Sequence, residues 1–325
     1  MKIIFVSLIT LLWTLTILGQ NDYKAYYETR NKAMESHANN KLQEAITIYE
    51  KTFTLAYPFP EDMKYLYDCY LKAGDKESAH KTLERMVMCG YKLYPDTLPL
   101  VGYNMSMFNE RDTNILNDKQ FIEEYDSLRA IYLKGINKEA NDYLVANSIC
   151  EYFAILLRRG SNDEQQSIIE EESFLLKKEL LVDFLKSDKN VGRQYTDHWL
   201  DPRFLLSLTH SVQILANTGE AQALLDLYWN EVLKGNIYLE QWAVFYDNII
   251  YQEGDGKISS VLGFQSTLMQ CKDEEGNDIN DYVIILKDSE NVDKLRNERL
   301  LPPLWVYCKL KNKYLEGNYI YSHNK

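Results

Sequence analysis

Two segments of this chain carry the same helical pattern one period apart. KLQEAITIYEKTF begins at Lys41 and DKESAHKTLERMV at Asp75, so Ala45 and Ala79 stand 34 residues apart, and each pattern follows a turn residue, Asn40 and then Gly74. A helical pattern that returns at a fixed period marks a supersecondary unit used more than once, because a single helical hairpin cannot bury its apolar face alone. That requirement constrains everything downstream: later parts of the chain must cover the open face. With 325 residues, 46% of them hydrophobic, there is enough apolar material to do so.

Helical periodicity runs from Tyr23 to His37 and stops at Asn39 and Asn40, since Asn tolerates the left-handed conformation of a helix end. A second helix is expected over Leu42–Ala56 with Ala45, Ile46, Ile48, Tyr49 and Phe53 inward. YPFPED, Tyr57 to Asp62, reads as a break because it holds two prolines. Met63–Lys72 and Lys76–Met88 form the next pair, ended by Gly74 and Gly90. After the Pro-interrupted stretch Tyr94–Asn104, helices are expected over Asp118–Leu133, Lys138–Arg159, Asp163–Lys186, Pro202–Ala216, Glu220–Leu233 and Ile237–Tyr251. The texture then changes. Runs rich in Ile, Val, Leu and Ser over Lys257–Gln270 and Asp281–Leu286 flank CKDEEGNDIN, whose Gly, Asn and Asp favour a reversal, so a small β-hairpin is expected. A helix over Ser289–Arg299, a break at LPP and a last helix over Leu304–Leu315 close the chain.

The front of the chain resembles the tetratricopeptide repeat, in which paired helices with a 34-residue period stack into a grooved superhelix. Ala45 and Ala79 match the small residue where the second helix crosses the first, Tyr49 and Leu83 the large apolar position four later, and Asn40 and Gly74 the turn. Elsewhere the match departs: the usually small first-helix position is Ala33 in one copy and Tyr67 in the other, and a later small position holds Thr52 and Met86. A second resemblance spans Trp199 to Tyr307. LTHSV around His210, FYDNI around Asp247, GFQ from Gly263 to Gln265 and ENVDKLRNERLLPPLWVY from Glu290 to Tyr307 are similar in order to a bacterial domain family of unknown function. That family carries a His, an Asp-Arg, a Gly-Thr-Gln and an Asp-x-x-Arg running into Leu-Pro-Pro-Leu. Here Asn248 stands for the Arg and Phe264 for the Thr, which removes two polar positions.

With 36 Lys plus Arg against 48 Asp plus Glu the net charge is −12 and no basic cluster stands out, so a nucleic-acid partner is excluded on charge. Lys2 followed by the uncharged stretch Ile3–Leu18 and a polar boundary at Gly19–Asp22 reads as an export signal over residues 1–20; it is shorter than the roughly 20 residues that comfortably span a bilayer. Once it is cleaved no stable membrane span is expected, and the location is the periplasm or cell surface of a bacterial envelope. Cys69, Cys89, Cys150, Cys271 and Cys308 are odd in number and widely spaced without a CxxC, so buried thiols are expected in place of a disulfide framework.

No GxSxG, HExxH, P-loop or GxGxxG motif is present. His37, His80, His198, His210 and His323 never pair three or four apart, and the acidic KDEEGNDIND has Asp278 where a calcium loop needs glycine, so neither a metal nor another cofactor is expected. The expected architecture is mainly α, with three parts. An export signal covers residues 1–20, tetratricopeptide-like hairpins cover 21–133, and a helical domain ending in a small α+β element with a β-hairpin covers 134–325. The leading function is an exported binding or scaffold module that engages a peptide or protein partner through a concave face at Tyr49, Tyr67, Tyr70 and Leu83. The competing function is a hydrolase-like or small-ligand site at His210, Asp247 and Gln265, where a base, an orienting carboxylate and an amide donor would have to meet.

Overall fold

The computed structural model describes residues 22–93, 118–146, 182–187, 190–197, 220–252, 260–264, 267–272, 278–284, 286–311 and 314–315, with Ile115, Asn162, Gln165 and Ile168 as single positions. The expected export signal, the helix over 202–216, His210 and Gln265 lie outside them. The chain is mainly helical. It divides into two compact units, one made of Met1–Lys76 with Val232–Lys325, the other of Glu77–Glu231.

The first unit opens with α1, Tyr23–Ala38. Asp22 caps it, its carboxylate accepting the Ala25 amide at 2.9 Å. The helix ends where expected: Asn40 takes a left-handed backbone, φ 59°. α2, Leu42–Thr52, packs on α1, and α3, Pro60–Lys72, packs on α2. Ala33 and Ala45 are fully buried. The break expected over Tyr57–Asp62 is shorter than its two prolines suggest. Pro60 occupies the first helical position, where a missing N–H costs nothing, and Glu61 and Asp62 fall in the first turn, where the helix dipole favours acid.

The abundant tyrosines fill this interior. Tyr23, Tyr26, Tyr27, Tyr49, Phe53 and Phe59 are buried, with ring centroids such as Tyr26 to Tyr27 at 5.4 Å and Tyr26 to Phe59 at 6.3 Å in edge-on geometry. The same unit holds α7, Leu239–Gln252, and the short α8, Val292–Glu298, followed by α9, Leu304–Lys311, which packs on α1. Strand β1, Thr267–Lys272, pairs antiparallel with β2, Asp278–Ile284, setting Thr267 opposite Val283 and Lys272 opposite Asp278. β3, Tyr314–Leu315, joins β2 in parallel. Ile284, Val292, Leu304 and Cys308 form an apolar cluster beside them.

The second unit contains nearly all of α4, Lys76–Met88, together with α5, Lys119–Leu133, and most of α6, Glu220–Leu233. Asp118 caps α5 by accepting the Phe121 amide at 3.0 Å. Asp197 anchors the adjoining turn: Arg129 Nη2 donates to both its oxygens, at 2.8 and 2.7 Å, and Lys92 Nζ lies 3.2 Å away. Cys69, Cys89 and Cys308 are buried and outside any disulfide. Among the described residues no helix is long and apolar enough to cross a membrane.

Two glycines of the first unit share a left-handed backbone but differ in surroundings. A Cβ on Gly235, φ 77°, would sit 1.8 Å from Tyr23 Cζ, whereas one on Gly74, φ 79°, meets nothing within 4 Å. Gly74→Ala is therefore expected to cost only backbone strain, about 1–2 kcal/mol, and Gly235→Ala clearly more, because Tyr23 must leave a buried site. Urea denaturation of both variants ranks them; equal losses would contradict the packing.

Candidate functional site

Asp247 sits on α7, fully buried, facing the irregular segment 260–264. An irregular buried segment has amide groups that no helix or strand satisfies, and this carboxylate satisfies them. Oδ1 accepts the Leu262 amide at 2.8 Å and the Val261 amide at 3.1 Å. Oδ2 accepts the Phe264 amide at 2.8 Å and the Ser260 hydroxyl. Ser260 Oγ accepts in turn from the amides of Gly263, at 2.7 Å, and Phe264, at 3.0 Å. Burial drives the Asp247 pKa upward; the hydrogen bonds from Ser260 and the amides pull against it without reversing the direction.

Arg296 holds the other side of the same segment. It is fully buried on α8; Nη1 donates to the Leu262 carbonyl and Nε to the Pro302 carbonyl at 2.7 Å. Its guanidinium carbon lies 5.0 Å from the Phe264 ring and 5.3 Å from that of Tyr307, and burial lowers its pKa. Leu262 is thus clamped at both polar groups, its N–H by Asp247 and its C=O by Arg296. Asp293, three residues before Arg296, accepts the Leu304 amide at 2.7 Å and ties the chain after Leu-Pro-Pro to α8. So Asp247, Gly263, Phe264, Asp293 and Arg296, scattered through the second resemblance, do converge. They converge on backbone. Phe264 serves the clamp twice, through its amide to Asp247 and through its ring beside Arg296. Ser260 is a member that motif reading missed; a small hydroxyl a few residues before a glycine carries too little signal.

A second buried polar network lies in the same unit. Arg30 of α1 is fully buried, with Nη1 2.9 Å from Glu240 Oε1 and 3.5 Å from Asp62 Oδ1. Asp62 accepts from Tyr26 and Tyr238 hydroxyls, each at 2.8 Å. The Arg30 ion is further held by Asn31 Oδ1, 3.0 Å from Nη2, and lies 4.9 Å over the Tyr27 ring. Burial pushes the Asp62 pKa up to about 6: Arg30 pulls it back, Glu240 pushes it further, and the two tyrosine hydroxyls favour the charged form. Burial opposes the Arg30 charge as well, but Glu240 and then Asp62 outweigh it and raise its pKa.

The four residues expected to line a partner groove are placed differently from one another. Tyr49 and Leu83 are fully buried and Tyr67 is nearly so, which makes them core; their apolar area is spent on packing. Tyr70 alone is half-buried, and its hydroxyl donates to Glu50 Oε1 of α2 at 3.2 Å.

Asp62 binds its proton more tightly folded than unfolded, because burial outweighs the pull of Arg30 and of the tyrosine hydroxyls, so this group's contribution to stability is present at low pH and falls as pH rises from about 4 to about 6. Asp62→Asn is expected to flatten that part of the profile in urea unfolding measured across pH. Asp247→Ala leaves the Val261 and Leu262 amides and the Ser260 hydroxyl without their acceptor, and the Phe264 amide with Ser260 Oγ alone, and is expected to cost about 3 kcal/mol or more. Unfolding of that variant at wild-type urea concentration would show that the anchor is dispensable.

The chain matches no family model, no curated protein and no solved structure, so its likeness to tetratricopeptide repeats and to the bacterial domain family rests on the residues quoted for each.

Proposed function

We propose that the chain is an exported helical binding protein of a bacterial envelope, holding a peptide or protein segment along the α2–α3 edge. The observation that carries this reading is Tyr70, half-exposed on α3 and bonded through its hydroxyl to Glu50 of α2. An aromatic face beside a carboxylate suits a Lys or Arg side chain, which gains ring contact and charge pairing together. The net charge of −12 favours a basic partner in the same sense and speeds its encounter. Export supports the reading as well, through the basic and apolar start of the chain.

A hydrolase-like site gains no comparable support. Asp247, its described member, has both oxygens engaged by the chain's own groups and no exposed surface. A general base has to reach the proton it abstracts.

A pull-down from the native envelope with the chain from Asn21 onward is expected to recover a discrete partner with a Lys- or Arg-bearing segment. Tyr70→Ala and Glu50→Gln should each weaken its binding by about tenfold in solution titration, as interface anchors do. Unchanged affinity in both variants would remove this edge from the reading.

A further inference from the structure

Outside both buried networks, α4 and α5 bring together an imidazole and three carboxylates. His80 and Glu84 are one helical turn apart on α4 and share a face. α5 supplies Glu124, and its cap supplies Asp118. One ligand atom each from His80, Glu84 and Glu124 lies within 4.8 Å of the others. His80 Nδ1 is 3.2 Å from Asp118 Oδ2, and Nε2 is 3.3 Å from Glu124 Oε2. All three residues are half-buried.

Two features distinguish this group from a solvated acidic patch. First, its members are held from behind. Asp118 Oδ1 is committed to the Phe121 amide at 3.0 Å, which leaves Oδ2 to accept the Nδ1–H of His80; Gln120 Nε2 donates to Glu124 Oε1 at 3.0 Å, which leaves Oε2 facing the imidazole. An imidazole with one nitrogen fixed by a carboxylate, and its other nitrogen turned toward further carboxylates, is how metal-binding histidines are oriented by their outer partners. Second, the candidate ligand atoms come from two helices, His80 and Glu84 on α4 and Glu124 on α5, and lie within 4.8 Å of one another, so one ion between the helices can draw on all three.

We infer that His80 Nε2, Glu84 and Glu124 form a binding site for a first-row divalent metal ion, with Asp118 and Gln120 as the positioning residues behind it. One nitrogen and carboxylate oxygens suit Zn2+ and its neighbours, whereas Ca2+ prefers oxygen throughout. The ion fastens α4 to α5, and three protein ligands leave it a coordination position for water or a ligand atom.

The test uses the whole chain, stripped with a chelator and titrated with ZnCl2 by calorimetry. Expected are one Zn2+ per chain, a raised melting temperature, and binding weaker by at least about tenfold in His80→Ala and in Glu84→Gln, with a smaller loss in Asp118→Asn. Circular dichroism checks that each variant keeps its helices. If His80→Ala does not fold, Glu84→Gln carries the test, since it keeps the side-chain shape. Absence of Zn2+ binding, Zn2+ binding equal in the wild type and Glu84→Gln, or Ca2+ binding as tightly as Zn2+ would each overturn the assignment.

Discussion

The first compact unit is organised around the Arg30 guanidinium. Removing a cation from water costs several kcal/mol even after the protein relaxes, so a buried Arg persists only where carboxylates, carbonyls or ring faces take the place of water. Glu240 at 2.9 Å and Asp62 at 3.5 Å do this here, and Asp62 is held in turn by the hydroxyls of Tyr26 and Tyr238. Placing those groups fixes the start of α3 and of α7 against α1. Tyr26 and Tyr238 show what tyrosine adds to this core: the phenol ring fills space as phenylalanine does, while its hydroxyl serves the ions.

Asp247 and Arg296 solve a different problem. Segment 260–264 forms no regular structure beyond a single bridge at Ser260, yet Ser260 and Leu262 are buried, so its amides and carbonyls need partners from elsewhere. One carboxylate collects the amides, and one guanidinium joins the Leu262 carbonyl of the turn to the Pro302 carbonyl of the later chain. Side-chain ions take the place that a neighbouring strand would have filled. A sequence pattern built around this clamp looks like a set of reactive groups, since structural and catalytic uses of Asp and Arg draw on the same polarity.

Local physics was well written in the sequence. Apolar periodicity located α1, α4 and α5 closely, and Asn40 marked the end of α1. Proline misled, because its first-turn position in α3 reads the same as a break until the helix is seen. Long-range pairing was not legible: nothing at residue 30 announces an ion pair with residue 240. Tyr49, Tyr67 and Leu83 were expected on a partner-facing groove, but periodicity gives a face and not its occupant, and all three are buried. The His80 group fell between the two kinds of signal. Its turn-spaced Glu84 was readable, yet a search for paired histidines passes over a histidine paired with glutamate, and Glu124 joins only through the packing of α5.

The discontinuous make-up of the first unit has a consequence for how the chain is born. Its front segment ends at Lys76 and its back segment starts at Val232, with the entire second unit encoded in between. A ribosome therefore finishes α1, α2 and α3 long before Glu240 and Tyr238 exist, and through that interval Arg30 and Asp62 stay hydrated and the aromatic layer unsealed. The front segment can close this core only once the residues beyond Val232 have been made.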